Sequence, residues 1–137
     1  MGIVVRFAAL YVLIVFAIGC MFAAIRIFLL EPAIGPLWAV VVEVPVMVVL
    51  SYLACGPLVR RWWPLDGEKG IEIGIAAFIL LQLLESGLTG LVGPEPYLDN
   101  ILIYWGDLSA PRLVGLVGQL LFAAMPFVRI LRKSTHE

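Results

Sequence analysis

Four long apolar runs decide what this chain can become: residues 7–30, 37–59, 71–92 and 113–131. A helix needs roughly 20 predominantly apolar residues to cross the hydrocarbon core of a bilayer, and each run is of that order. Strands of a membrane barrel would be about 10 residues long and would alternate in polarity; these runs do neither. Nor can the runs be hidden in a water-soluble fold. The chain is 63% hydrophobic and only 14% charged, whereas soluble domains carry about 25% charged residues. Too little polar surface is left to cover so large a core. The reading is therefore all-α, an integral membrane four-helix bundle. It forms a single transmembrane domain over residues 1–137, with helices over about 5–30, 37–61, 71–92 and 111–131.

Lysine and arginine placement sets the expected orientation. Arg6 flanks the first run, Arg60, Arg61 and Lys69 flank the second connection, and Arg129, Arg132 and Lys133 follow the last run. The opposite side has only Arg26 and Arg112, both at helix edges. Both termini are thus expected in the cytoplasm, with loops 31–36 and 93–110 outside. Trp62-Trp63 and Tyr104-Trp105 fall where aromatic belts form. The first outer loop is short, which makes helices one and two antiparallel neighbours. In the second, Tyr97, Leu98, Ile101, Leu102, Trp105 and Leu108 recur at helical spacing. That pattern fits a short helix over about 96–106 in the outer interface; a plain packed loop fits equally, because so short a run barely defines a period.

The N-terminus resembles a signal peptide only superficially. Its apolar stretch continues past the length of a signal h-region, so an uncleaved spanning helix is expected. Cys20 and Cys55 lie at different depths and read as small apolar fillers; no disulfide, metal site or cofactor is expected from them. The net charge of −1 gives no nucleic-acid partner. Gly19/Ala23, Gly70/Gly74, Ser86/Gly90 and Gly115 with Gly118 mark close helix approaches. Pro45 and Pro126 are expected to kink helices two and four. Glu72, near the start of helix three, reads as an acid favoured at a helix N-terminus.

The polar residues inside the runs form the candidate site. At a rise of 1.5 Å per residue, Arg26 lies roughly 6 Å inside the outer end of helix one, and Glu43 roughly 9 Å inside helix two. Glu85 on helix three and Gln119 on helix four each lie roughly 10 Å deep. Gln82, Glu85 and Thr89 share one helical face; so do Arg112, Gly115 and Gln119, and so do Glu43, Met47 and Ser51. Charges in hydrocarbon are costly and face the bundle interior with partners, so these seams should converge. Arg26 and Glu43 should pair directly, or share a network with Glu85 and Gln119. Arg26 can neutralise one glutamate while Arg112 is shallow, so one of Glu43 and Glu85 is expected to exchange a proton. Two readings stay open: a staple that fixes helix order, or a site facing outward.

There is no Ser/His/Asp set, HExxH, Walker loop or CxxC in the chain. Around Ala24-Ile25-Arg26, Glu31-Pro32-Ala33-Ile34-Gly35 and Glu43-Val44-Pro45-Val46-Met47, the chain resembles a group of small four-helix bacterial membrane proteins. Their shared pattern is I-R, then P-x-x-G, then E-x-P-x-M, with a basic end to helix two and a proline late in helix four. Arg60-Arg61 and Pro126 fit the last two features. The stretch 106–111 lacks the Arg-Asp-Pro of that pattern. The resemblance implies a bacterial inner-membrane location and no particular activity. The leading functional expectation is a non-enzymatic accessory or assembly subunit. Its partners would be the lipid bilayer and either further copies of the chain or a larger membrane complex. The alternatives are a small proton-coupled transporter, with Pro45 beside Glu43 and a protonatable Glu85 opposite, and an enzyme acting on lipid at the outer leaflet. In the enzyme reading, Glu43 or Glu85 serves as base and Arg26 or Arg112 holds a phosphate.

Overall fold

A computed structural model describes residues 2–136. Among them the chain is helical throughout, with no strand. Four helices are long and apolar enough to cross a membrane: α1 (Gly2–Ile34), α2 (Pro36–Arg61), α3 (Gly67–Val92) and α5 (Ala110–Thr135). The short helix α4 (Tyr97–Gly106) lies between the last two. Large apolar side chains such as Leu13, Phe28, Val49, Ile75, Leu83 and Leu120 point outward from these helices, as an apolar surrounding requires.

The first connection is shorter than the expected loop over 31–36. Helix α1 runs on through Glu31–Ile34, and only Gly35 separates it from α2. Gly35 has φ 87°, a left-handed conformation that a Cβ would strain. Pro36 opens α2 directly after it, where a missing N–H costs nothing. The start of α3 also differs from expectation. It begins at Gly67, and Asp66 caps it by accepting from the Lys69 N–H at 2.8 Å. Glu72 is not the capping acid; it pairs with Lys69 at 3.4 Å on the helix surface.

The four long helices close into a ring in which α1 and α5 each contact both α2 and α3. Helices α2 and α3, consecutive in sequence, make no close backbone approach; α5 lies between them. Small residues permit this. A Cβ on Gly74 would run into the Ala123 carbonyl oxygen, and one on Gly70 would stand 2.8 Å from the Phe127 Cα. Tyr11 closes the α1–α5 diagonal. Its hydroxyl donates to the Phe122 carbonyl at 2.6 Å, and its ring stacks on that of Phe122 at 4.4 Å.

The main apolar cluster lies in one half of the bundle. Its members include Phe7, Tyr11 and Val12 of α1, Cys55 and Val59 of α2, Ile73 and Ala77 of α3, and Phe122 and Ile130 of α5. Beyond Val15 no residue of α1 is buried, and before Phe122 none of α5 is. Among the four long helices, burial in the half nearer Gly35 comes only from α2 and α3, at residues such as Ala39, Val40, Ser86 and Gly90, and the polar residues lie there.

Helix α4 forms over Tyr97–Gly106, which removes the packed-loop alternative, and it doubles back along the end of α3. The break at Gly93-Pro94-Glu95-Pro96 ends α3 because neither proline can donate to a helix. Asn100, almost fully buried, fixes the return. It donates to the carbonyls of Gly90 at 3.1 Å and Glu95 at 2.6 Å, and it accepts from the Glu95 N–H at 3.1 Å.

Candidate functional site

The polar residues form two clusters on opposite walls of a chamber of about 510 Å³. The first cluster is Arg26 with two carboxylates. Its Nε lies 2.6 Å from Glu43 Oε2, and its Nη1 lies 2.9 Å from Glu31 Oε1. The Arg26–Glu43 pairing expected from the sequence is present. The second partner, Glu31, falls in the expected 31–36 loop and is not among the expected site residues. Its placement has a local cause. Residues 26–30 form a π-helical stretch closed by the Glu31 N–H on the Arg26 carbonyl. Pro32 follows; in a regular helix its ring would clash with the carbonyl four residues back, and the wider turn relieves that crowding. Residues five apart are about 140° apart around a regular α-helix, and the wider i→i+5 turn narrows that angle. Glu31 is thereby placed over Arg26. The Arg26–Glu43 contact is close but poorly aligned, since Nε and Oε2 are both buried and neither makes a hydrogen bond.

The second cluster gathers Gln82 and Glu85 of α3, Gln119 of α5 and Tyr104 of α4. Gln82 Nε2 donates to Gln119 Oε1 at 2.6 Å, and Gln119 Nε2 donates to Glu85 Oε2. The Tyr104 hydroxyl donates to the same Glu85 oxygen at 2.8 Å, and Gln82 Oε1 lies 3.2 Å from it. A phenol has one proton, and the shorter contact takes it. The donors therefore all run toward Glu85, an arrangement that serves a carboxylate. Burial, and then the Glu85 charge, push the Tyr104 phenol above its ordinary range, so it remains a donor at any physiological pH. Tyr104 is absent from the expected site because it reaches Glu85 only through the fold-back of α4.

Arg112 does not reach Glu85. Its guanidinium lies over the face of the Tyr104 ring, 4.2 Å from the centroid, a cation–π contact, while Glu85 meets the hydroxyl at the edge of the same ring. Asp107 also lines the chamber. The Ser109 N–H, 2.9 Å away, holds its carboxyl below the usual range. Thr89 lies one turn from Glu85 on the same wall. Of the residues singled out from sequence, Arg26, Glu43, Glu85, Thr89, Arg112 and Gln119 all line the chamber. Gln82 is buried behind Gln119. No hydrogen bond or ion pair among the described residues joins the two clusters, so the polar layer is two walls and not one network.

The charge balance is uneven. Glu43, Glu85 and Asp107 line the chamber against Arg26 and Arg112, and Glu31 adds a further acid beside Arg26. Arg26 is already shared by two carboxylates. Among the described residues Glu85 has no cation within ion-pair distance, and its Oε1 accepts no hydrogen bond. No set of three or more His, Cys, Asp or Glu placed to hold a metal occurs among the described residues. The rest of the lining is largely apolar, including Val15, Phe16, Val40, Val44, Leu88 and Phe122. Comparison with protein-family models, curated proteins and solved structures found no match.

Proposed function

We propose that the chain is a multi-pass protein of the bacterial inner membrane, with both termini cytoplasmic, whose chamber binds an amphiphilic organic cation in exchange for a proton. One observation carries this reading. Among the described residues, Glu85 sits at a spanning depth with two donors on one oxygen, no cation within ion-pair distance and no hydrogen bond to its other oxygen, in a largely apolar chamber whose second arginine, Arg112, is held on the Tyr104 ring. An isolated carboxylate in a low-dielectric site is strongly disfavoured; a proton or a cation from outside answers that cost, and the two then compete. The volume is that of a small-molecule site, about 300–1,000 Å³, and the apolar lining selects cations with an apolar body. This is the carrier alternative raised from the sequence, moved ahead of the accessory-subunit reading by the chamber.

The test uses tetraphenylphosphonium as probe with the purified chain in detergent. Binding should release protons to a weak buffer and weaken as the pH falls from 8 to 5. Glu85→Gln should abolish both effects, and Tyr104→Phe should weaken them without abolishing them. Absence of binding, or binding unchanged in Glu85→Gln, would sink the proposal. In proteoliposomes, uptake driven by a pH gradient separates a carrier from a receptor.

The accessory-subunit reading keeps one supporting observation. Leu98, Leu102, Trp105 and Leu108 of α4 and its following turn are all exposed, giving an apolar surface outside the ring of spanning helices. A stoichiometric partner in native mass spectra, lost on Leu98→Gln/Leu102→Gln, would favour it.

A further inference from the structure

A second cavity, of about 270 Å³, lies between α2 and α5 at the opposite end of the bundle. Tyr52, Gly56 and Arg60 line it from α2, and Arg129, Arg132 and Lys133 line it from α5. No carboxylate is among its described lining residues.

These cations are not simply extended toward water. The Arg129 guanidinium is seated on the bare backbone of Gly56, where an added Cβ would stand 2.7 Å from its Nη2. The same guanidinium lies on the Tyr52 ring, with Cζ 4.4 Å from the centroid. Arg132 comes to that ring as well, with Cζ 5.9 Å from the centroid, and its Nη1 donates to the phenol oxygen at 3.0 Å. Two guanidiniums are thus gathered on one phenol, and neither has a carboxylate within ion-pair distance among the described residues. Like charges held this way repel, and an anion between them removes the repulsion. The planar fork of a guanidinium matches phosphate oxygens.

We infer that the cavity between α2 and α5 is an anion site that takes a phosphate group, supplied either by the headgroup of an anionic phospholipid or by free phosphate. Basic pockets between spanning helices are where anionic headgroups bind. The site is separate from the chamber and uses none of its residues.

The full chain, purified in mild detergent, is loaded with mixed phosphatidylglycerol and phosphatidylcholine, washed, and its retained lipid is measured by mass spectrometry. Binding of radiolabelled inorganic phosphate is measured in parallel. The wild-type chain should retain phosphatidylglycerol over phosphatidylcholine, or bind inorganic phosphate. Losing two charge-assisted hydrogen bonds should cost about tenfold or more, so Arg129→Gln/Arg132→Gln should lose that much of the binding. Arg129→Lys, which keeps the charge but not the fork, should fall between. Arg132 is exposed, so Arg132→Gln alone carries the test if the double variant does not fold, with a several-fold loss expected. If millimolar phosphate binds and displaces the lipid, the ligand is free phosphate; if the lipid resists it, the ligand is the headgroup. Arg61 sits outside the cavity, its guanidinium 5.3 Å from the Trp62 ring centroid. If Arg61→Gln reduces binding as much as Arg132→Gln, the attraction is diffuse and the site does not exist. A wild-type chain with no lipid preference and no bound phosphate overturns the proposal as well.

Discussion

Replacing Arg26 by alanine isolates what the first cluster contributes. Arg26, Glu31 and Glu43 have side chains 25%, 27% and 16% exposed, so the cluster is half-buried. Breaking a buried ion pair costs about 3–5 kcal/mol, because the remaining charge is left unpaired. Partial solvent access lowers that to about 2–3 kcal/mol. Here the remaining charges are two, and both are acids. A change of 1 kcal/mol shifts the thermal midpoint of a chain this size by about 3–5 °C, so Arg26→Ala should melt about 6–15 °C below the wild type. Cys55 is fully buried, so a thiol-reactive dye reports unfolding once the exposed Cys20 is replaced by alanine. The structure also fixes how the loss is reversed. Arg26→Met with Glu43→Leu removes one acid and leaves Glu31 unpaired, so recovery should be partial. Adding Glu31→Gln should complete it, because exchanging a whole buried ion cluster for neutral groups is often neutral or stabilising. If Arg26→Ala melts within about 1 °C of the wild type, or Glu31→Gln adds nothing, the three-residue cluster is wrong.

Gly74→Ala should destabilise by about 1–3 kcal/mol because its Cβ meets the Ala123 carbonyl. Gly87→Ala in the same helix, with nothing within 4 Å of its Cβ, should be neutral or stabilising by up to about 1 kcal/mol; equal effects in the two melting curves would contradict the α3–α5 packing. For the orientation, a membrane-impermeant thiol reagent applied outside cells should modify Glu95→Cys and spare Ser134→Cys in a cysteine-free background. The reverse pattern inverts the topology. Amide exchange in detergent should be faster over residues 26–34 than over 73–81, since the first stretch has no buried residue and the second includes Ile73, Ala77 and Leu81. Equal protection would mean the chamber half is as tightly held as the core.

Much of this was legible because hydrocarbon is a severe solvent. Span length sets the four long helices, and helical spacing puts Glu85 with Gln82 and Glu43 with Met47. The pairing of Arg26 with Glu43 followed from a short connection and a shared depth. The order of helices around the ring did not follow. All four present apolar residues on every side, so composition does not say which faces meet. The signal that α5 would seat on α3 was Gly70 with Gly74, and it was no stronger than the Gly115/Gly118 signal. Yet a Cβ on Gly115 would meet nothing, while one on Gly118 would stand 3.1 Å from Val44.

The two misses at the site have distinct physical origins. Tyr104 depended on Asn100, whose hydrogen bonds to Gly90 and Glu95 turn α4 back along α3; nothing local to Tyr104 records that. Glu31 is different, because its cause is local and was misread. A proline after a long apolar helix ordinarily marks the helix end. A helix that stopped there would leave its last carbonyls without intrahelical partners. Widening the preceding turn keeps those groups bonded and lets the helix continue past Pro32. The same widening turns Glu31 onto Arg26, so the two carboxylates share one cation. Arg26 is then occupied, Arg112 is held on the Tyr104 ring, and Glu85 is the acid left without an ion-pair partner among the described residues. The proline in the first helix and the carboxylate in the third that has no ion-pair partner among the described residues are thus linked through Arg26.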